Sequence, residues 1–118
     1  MKKNARAIGD AGERDAVYYL QRRGLAILDR NFTYHHGEID VVAKDGDELV
    51  FVEVKTRRSA QFGLPEESVT YAKQELIRRT AEGYVLERHL DNVPCRFDVV
   101  AIRIEKGIKK FIHYKNAF

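Results

Sequence analysis

The chain has 118 residues, of which 44% are hydrophobic and 33% charged, a length and balance that suit one folded domain with a single core. Its 21 lysines and arginines against 18 acids permit an anionic partner without requiring one. No apolar run approaches the ~20 residues of a membrane-spanning helix, and the basic start leads into an amphipathic stretch, so we expect a cytoplasmic protein with no membrane partner.

The first half of the chain predicts one helix followed by three strands. Small and apolar residues recur at helical spacing from about Asn4 to Arg23, with Asn4 as a candidate cap. Apolar stretches then predict strands at Leu25–Phe32, Ile39–Ala43 and Leu49–Val54. The Asp-Gly pair between the last two is a strong hairpin signal, which favours an antiparallel meander.

The second half predicts another helix and two strands. Pro65, with Glu66 and Glu67, is predicted to open a helical region that continues to about His89. The remaining strands are predicted at Cys95–Ile104 and Ile108–Tyr114. As the only cysteine, Cys95 excludes an internal disulfide, and we expect it to be a small buried residue. The order α-β-β-β-α-β-β predicts an α/β fold with a mixed sheet flanked by helices.

Two charges interrupt the apolar third strand. Because side chains alternate faces along a strand, Glu53 and Lys55 share one side of the sheet. They suit either a functional site or a half-exposed strand whose charges point to water in a cross-strand ladder.

The hairpin loop decides whether further carboxylates join these charges. A two-residue turn at Asp45-Gly46 would place Asp40 opposite Phe51 and Glu38 opposite Glu53, all on one face. A loop with an odd number of residues would instead move Asp40 and Glu38 to the other face.

Converging carboxylates of this kind suit a metal centre. Carboxylates on adjacent strands repel one another, which raises their pKa values or requires a cation between them. Carboxylate oxygens are the ligands that Mg²⁺ prefers, and Mg²⁺ keeps other positions for water and substrate phosphate. Lys55 beside such a site could hold or deprotonate a water or stabilise transition-state charge. The pattern therefore indicates metal-assisted phosphodiester hydrolysis.

The sequence also carries a family resemblance. Asp40 and Glu53-Val54-Lys55 resemble the signature of the PD-(D/E)xK nuclease superfamily. Further segments resemble the bacterial YraN family nearly end to end: Gly12-Glu13 with Ala16 and Tyr19-Leu20, Arg30-Asn31, Gly37-Glu38-Ile39-Asp40, Phe51-Val52-Glu53-Val54-Lys55-Thr56-Arg57, Phe62-Gly63-Leu64-Pro65, Arg96-Phe97-Asp98-Val99-Val100 and Asn116-Ala117-Phe118. The resemblance implies one restriction-endonuclease-like domain over residues 1–118 and a Holliday-junction-resolvase-like nuclease.

Carried over by position, the resemblance implies specific roles. Asp40 and Glu53 would ligate Mg²⁺ or Mn²⁺, with the Val54 carbonyl as a further ligand. Lys55 would be the catalytic lysine. Glu13 matches a helix glutamate that leans over the metal site in resolvase-like relatives, and the missing side chain of its neighbour Gly12 permits a close approach; a solvated helix carboxylate is the alternative.

Five further residues are candidates for supporting roles. Glu38 is predicted to support the metal ligands or to replace one of them. Arg57 and Arg58, directly beyond the catalytic strand, are placed to contact phosphates. Lys73 and Gln74, near the start of the second long helix, are candidates for binding nucleic acid, although a solvated helix face explains them equally well.

Other polar residues have structural interpretations. His35 and His36 lack partners at metal-ligand spacing and are predicted to lie in a loop. Asp98 is predicted to form a structural ion pair. Five tyrosines could stack on bases but are expected in the core or at its margin: Tyr18, Tyr19, Tyr34, Tyr71 and Tyr84.

Three classes of function are compatible with these observations. The first is a metal-dependent nuclease whose partner is nucleic acid, DNA in the first place, with a homodimer required for junction resolution. The second is a non-catalytic nucleic-acid-binding module of the same fold. The third is a protein-interaction subunit with an acidic face. The intact set of Asp40, Glu53 and Lys55 favours the first class.

Overall fold

The computed structural model describes residues 5–58 and 69–118, with side chains described from residue 11 onward. The elements in chain order are α1 (Ala5–Arg22), β1 (Ala26–Tyr34), β2 (Gly37–Asp45), β3 (Glu48–Arg57), α2 (Tyr71–Glu87), β4 (Cys95–Glu105) and β5 (Ile108–Tyr114). The predicted α/β fold class, a mixed sheet flanked by helices in the order α-β-β-β-α-β-β, is confirmed. Within the described ranges, no helix combines the length and apolarity needed to cross a membrane.

The five strands form one sheet in the order β1-β2-β3-β4-β5. All neighbours are antiparallel except β3 and β4, which run parallel because α2 connects them across one face of the sheet. The α1 face is packed by Ala16, Leu20, Leu25, Val41, Ala43, Val50, Val52, Val100 and Ile102. The α2 face is packed by Ile39, Val42, Leu49, Phe51, Val69, Ile77, Ala81, Tyr84 and Val99. Each helix therefore buries its own face of the sheet.

The second helix begins at Tyr71, and Thr70 is its N-cap. The Thr70 hydroxyl accepts a hydrogen bond from the Lys73 N–H at 3.2 Å, which satisfies one of the free donors of the first turn. The predicted helix opening at Pro65, Glu66 and Glu67 lies outside the described residues, as do the Asn4 cap and the segment Phe62-Gly63-Leu64-Pro65.

Two expectations about burial are wrong in part. Cys95 begins β4 as predicted, but its side chain is exposed because the first residue of that strand lies at the end of the sheet. Among the tyrosines, Tyr84 is buried in the core as expected. Tyr18 and Tyr71 are exposed, since each lies on the solvent face of its helix.

The β2–β3 hairpin has an even loop, but its register differs from the predicted one. Asp45 pairs with Glu48, so the turn is Gly46-Asp47. The predicted pairs of Asp40 with Phe51 and of Glu38 with Glu53 are therefore wrong by two residues. The reason is that Gly46 has a φ of 60° and occupies the first turn position, where this kind of hairpin turn requires a positive φ.

The alternation of faces breaks next to Asp40. Ile39 packs on the α2 face and Val41 on the α1 face, although residues two apart in a regular strand share a face. On the neighbouring strand Asn31 has a φ of 54°, a left-handed conformation that Asn adopts more readily than most residues. In both β1 and β2, the side chains thus switch from one face of the sheet to the other at this level.

Asp98 lies in a buried network of charges on β4, so the predicted structural ion pair is confirmed. Its carboxylate accepts hydrogen bonds from Arg96 Nε at 2.9 Å and the Asn116 N–H at 3.1 Å, and it lies 2.7 Å from His113 Nε2. Burial alone would raise the pKa of Asp98, but the hydrogen bonds from His113, Arg96 and Asn116 outweigh it and lower the pKa. Glu48 and Asp45 give Arg96 two further carboxylate partners.

Asp98→Asn is expected to lower the free energy of unfolding at pH 7 by about 3 kcal/mol. This is the lower end of the range for breaking a buried pair, because Arg96 keeps two other partners. The native pKa lies below the ordinary 3.8, so Asp98 stabilises the fold at neutral pH, and this contribution is lost as the pH falls through the native pKa. Urea unfolding measures the change. The exposed Asp91→Asn is the control and should change stability by less than about 0.5 kcal/mol; equal losses in both variants would contradict the prediction.

Candidate metal centre

The Asp40 side chain occupies a gap between β2 and β3. Pairing of these strands ends at Val41 with Val52. Beyond that point the Val54 N–H donates a hydrogen bond to Asp40 Oδ2 at 2.8 Å, so a side-chain carboxylate replaces the main-chain acceptor that a regular ladder would supply. The C=O and N–H of one strand residue point to the same edge of the strand, so the Val54 carbonyl faces the same gap.

Glu53 lies beside this gap on the α2 face of the sheet. Its side chain is only 7% exposed, yet it has two cationic neighbours. Lys55 Nζ and Lys73 Nζ each lie 3.8 Å from Glu53 Oε1, which is beyond hydrogen-bond distance. The carboxylate is therefore buried and only loosely paired. Glu53 and Lys55 share one face, as strand alternation predicts, and they do not form a solvated ladder.

Glu13 reaches the same site from the α1 face. A Cβ on Gly12 would overlap the Thr56 hydroxyl, so only glycine lets α1 approach β3 this closely. The Glu13 side chain is 12% exposed and lies 3.9 Å from Arg30 Nη2. Its Oε1 atom is buried and has no hydrogen-bond partner among the described residues. Glu13 is therefore not a solvated helix carboxylate.

Glu38 joins Glu13 and Asp40 in a second part of the site. One carboxylate oxygen from each of these three residues lies within 4.8 Å of the others. Glu38 is exposed and approaches Glu13 and Asp40, instead of lying opposite Glu53 as the predicted register required. Asp40 thus has Glu53 as its neighbour on one side and Glu13 and Glu38 as its neighbours on the other.

Two carboxyl groups of the site have strongly raised pKa values. Burial, followed by repulsion from Asp40, raises the pKa of Glu53 from 4.5 to about 7, although Lys73 and Lys55 oppose the shift. Burial and then the charges of Asp40 and Glu38 raise the pKa of Glu13 from 4.5 to about 7, against the influence of Arg30 and Asn31. Near neutral pH each group is thus about half protonated, because its cationic neighbours do not offset the effects of burial and repulsion on the charged form.

This donor set fits a hard divalent cation. Glu13, Glu38 and Asp40 bring carboxylate oxygens within 4.8 Å of one another, and Glu53 neighbours Asp40 across the gap that the Val54 carbonyl faces. Oxygen ligands of this kind suit Mg²⁺ and Mn²⁺. A cation among them would supply the missing partner of Glu13 Oε1 and relieve the repulsion that raises both pKa values.

The predicted nucleic-acid-binding residues lie at the rim of this site. Lys73 projects from the first turns of α2 toward Glu53. Gln74 donates a hydrogen bond from its amide to the Val69 carbonyl at 3.1 Å, which ties down the start of the same helix. Arg57 is the last residue of β3, and its guanidinium donates a hydrogen bond to the Thr56 carbonyl at 2.9 Å. Arg58 follows it and is exposed.

Two neighbours of the carboxylates received no role from the sequence. Arg30 and Asn31 both act on Glu13, the first as a cation and the second through its side-chain amide. The polar run Asp29-Arg30-Asn31 in the middle of an apolar strand was the available signal. Its meaning depends on the face change at Asn31, which a period-two pattern does not reveal.

Glu53→Gln is expected to stabilise the metal-free protein at pH 8 by on the order of 2 kcal/mol. The native pKa of Glu53 is about 7 against an ordinary 4.5, so the native state binds the proton more tightly and stability falls as the pH rises between these values. Chemical unfolding in chelator at pH 5 and pH 8 measures the effect. Glu105→Gln, at an exposed position, should leave stability unchanged. A Glu53→Gln variant less stable than wild type at pH 8 would contradict the prediction.

Comparison with known proteins identifies the family. The model of the "Uncharacterised protein family UPF0102" matches residues 12–102. The chain is 44% identical to a UPF0102 protein of Caldicellulosiruptor saccharolyticus, with 98% of this chain and 99% of the relative covered. It is 43% identical to one from Clostridioides difficile, with the same coverage, and 45% identical to one from Alkaliphilus oremlandii, with 94% and 97% covered. The chain therefore belongs to the UPF0102 family, which is the YraN family that its sequence resembles.

Proposed function

We propose that this protein is a Mg²⁺- or Mn²⁺-dependent nuclease that hydrolyses phosphodiester bonds in nucleic acid. The observation that carries the proposal is the combination at the β2–β3 gap of a buried, loosely neutralised carboxylate, a half-buried carboxylate and a lysine. Asp40 and Glu53 lie on adjacent strands, and Lys55 Nζ lies 3.8 Å from Glu53. Structural ion pairs do not require such an arrangement, as the Asp98 carboxylate with its several hydrogen bonds illustrates.

Three carboxylates and one main-chain carbonyl are the proposed ligands of the cation. Asp40 and Glu53 would hold it from two strands, with the Val54 carbonyl as a main-chain ligand and Glu13 as a further carboxylate from α1. When bound, the divalent ion supplies Lewis acidity toward a phosphoryl oxygen and lowers the pKa of a water. A substrate phosphate can complete its coordination, because Mg²⁺ rarely fills all of its positions with protein ligands.

Lys55 is the residue that acts on the reacting atoms. Its side chain is 16% exposed and lies on the same face as Glu53. An ammonium at this place orients the attacking water and stabilises the negative charge that develops on the phosphoryl oxygens. Lys73, 42% exposed and at the same distance from Glu53, is better placed to bind a neighbouring phosphate.

The substrate reaches the site along a cationic rim. Arg57 and Arg58 follow Lys55 at the end of β3, and Lys73 lies beside Glu53 near the start of α2. These residues contact phosphates, which fix position on the strand without reading base sequence. The resemblance to resolvase-like nucleases makes branched DNA one candidate substrate, and resolution of a four-way junction would require two copies of the chain.

Lys55→Ala is expected to lower the rate of metal-dependent cleavage by at least about 100-fold, because it removes the group that acts on the attacking water. The assay uses linear, single-stranded, flapped and four-way-junction DNA, together with RNA, in Mg²⁺, Mn²⁺ or chelator. The variant should keep the Mn²⁺-induced rise in melting temperature, since the carboxylates remain.

The matched control is Lys44→Ala, an exposed lysine at the far end of β2, which should cleave like the wild type. Equal cleavage by the Lys55→Ala variant would contradict the proposal. Binding of nucleic acid without cleavage under any condition, and indifferent to Asp40→Ala, would point instead to a non-catalytic module of the same fold.

A further inference from the structure

A groove of about 750 Å³ lies beside the contact between the tip of the β1–β2 hairpin and α2. One wall carries Tyr34 and the two turn residues His35 and His36. The other wall carries Leu76 and Arg79. The turn confirms the predicted loop position of the two histidines, but their environment is a groove and not open solvent. Its volume lies in the usual range for ligand sites.

The groove lies next to the metal centre, since its lining residues His36 and Leu76 come two and three residues from Glu38 and Lys73 along the chain. A Cβ on Gly37 would overlap the Thr80 hydroxyl, so the hairpin tip is seated directly on α2. Glu38 of the carboxylate cluster is the next residue along β2. On the helix, Lys73, Leu76 and Thr80 follow one another at three- and four-residue spacing and therefore share a face. The groove thus continues the path that leads away from Glu53 and Lys73.

The cationic side chain of Arg79 lies further along this path. Arg79 is exposed and, within the part of the chain that the structure describes, forms no hydrogen bond or ion pair. It follows Lys73 by ~9 Å along the helix axis. Glu82 lies one turn further on and ends the cationic track.

The opposite wall offers ring surfaces. The Tyr34 and His35 rings meet edge to face, with centroids 4.4 Å apart and planes at 88°. This contact fixes both rings, while His36 is exposed and has no partner among the described residues. Imidazole and phenol rings stack on bases that have left a duplex. Bases that remain paired and stacked in a duplex do not present their faces to such a wall.

We propose that this groove binds unpaired nucleotides of the strand that leaves the metal centre, with Arg79 on a phosphate and His36 against a base. The inference rests on the proposed nuclease function and deepens it. It names the substrate class as nucleic acid with a single-stranded segment next to the cleaved bond, such as a flap or a splayed arm.

The test is fluorescence anisotropy in chelator with labelled oligo(dT) of about 12 nucleotides and a duplex of equal length. Arg79→Ala should weaken binding of the single strand about tenfold and reduce the slope of log K against log salt by about 0.7. His36→Ala should weaken it about tenfold, within the range for loss of one stacked base, and leave the salt slope unchanged. Binding of the duplex should change less than twofold in both variants.

The control is again Lys44→Ala, which removes one charge seven residues along β2 from Gly37, roughly 24 Å away at ~3.4 Å per residue. If Arg79→Ala and Lys44→Ala bind the single strand equally, the groove inference is overturned, and metal-dependent cleavage in the same preparations would leave the nuclease proposal intact. If Arg79 and His36 govern single-strand binding by a protein that cleaves nothing, the groove is supported and the nuclease proposal fails.

Discussion

The hydrogen bond from the Val54 N–H to the Asp40 carboxylate is the constraint on which the rest of the site depends. In a regular sheet that N–H would donate to a carbonyl of β2, and the two antiparallel strands would stay paired to their ends. With a side chain in place of the carbonyl, the backbone donor is satisfied while the strands separate. A gap lined by oxygen atoms then opens inside the sheet without leaving a buried donor unpaired.

Both faces of the sheet contribute to this gap because Asp40 lies where the strands change face. Glu53, Lys55 and Lys73 approach from the α2 side, and Glu13 approaches from the α1 side. Each approach depends on a small local feature. The left-handed backbone of Asn31 lets β1 follow the change of face, and the bare Cα of Gly12 lets α1 settle against Thr56. The candidate site is thus assembled by backbone geometry that has little to do with core packing.

The pKa values of the carboxyl groups are shifted in opposite directions in two clusters of charged residues in this molecule. On β4, hydrogen bonds to Asp98 overcome the effect of burial and lower its pKa, so the ion-pair network stabilises the fold. Around Asp40, burial and mutual repulsion raise the pKa values of Glu13 and Glu53 to about 7. Unfavourable interactions of this kind are expected where stability has been given up for function. A divalent cation is the partner that would remove them.

Much of this organisation follows from the sequence, and the remainder depends on contacts between distant segments. Period-two patterning placed Glu53 and Lys55 on one face, and the Asp-Gly signal gave the hairpin. The Asp-Gly signal did not fix the register between β2 and β3, because Gly46 can occupy either central position of such a turn. The approach of Glu38 to Glu13 and Asp40 could not be predicted, since it depends on the change of face at Asn31. The groove beside His36 depends on the docking of a hairpin on a helix some forty residues later in the chain, which no local pattern encodes.

Anomalous diffraction from crystals grown with Mn²⁺ tests the central claim most directly. We predict a single strong peak in the gap between β2 and β3, with carboxylate oxygens of Asp40 and Glu53 at about 2.0–2.2 Å. That result would assign the loosely neutralised carboxylates to a metal centre. An empty gap with Asp40 and Glu53 still ordered, or Mn²⁺ bound only at exposed acids elsewhere, would contradict it.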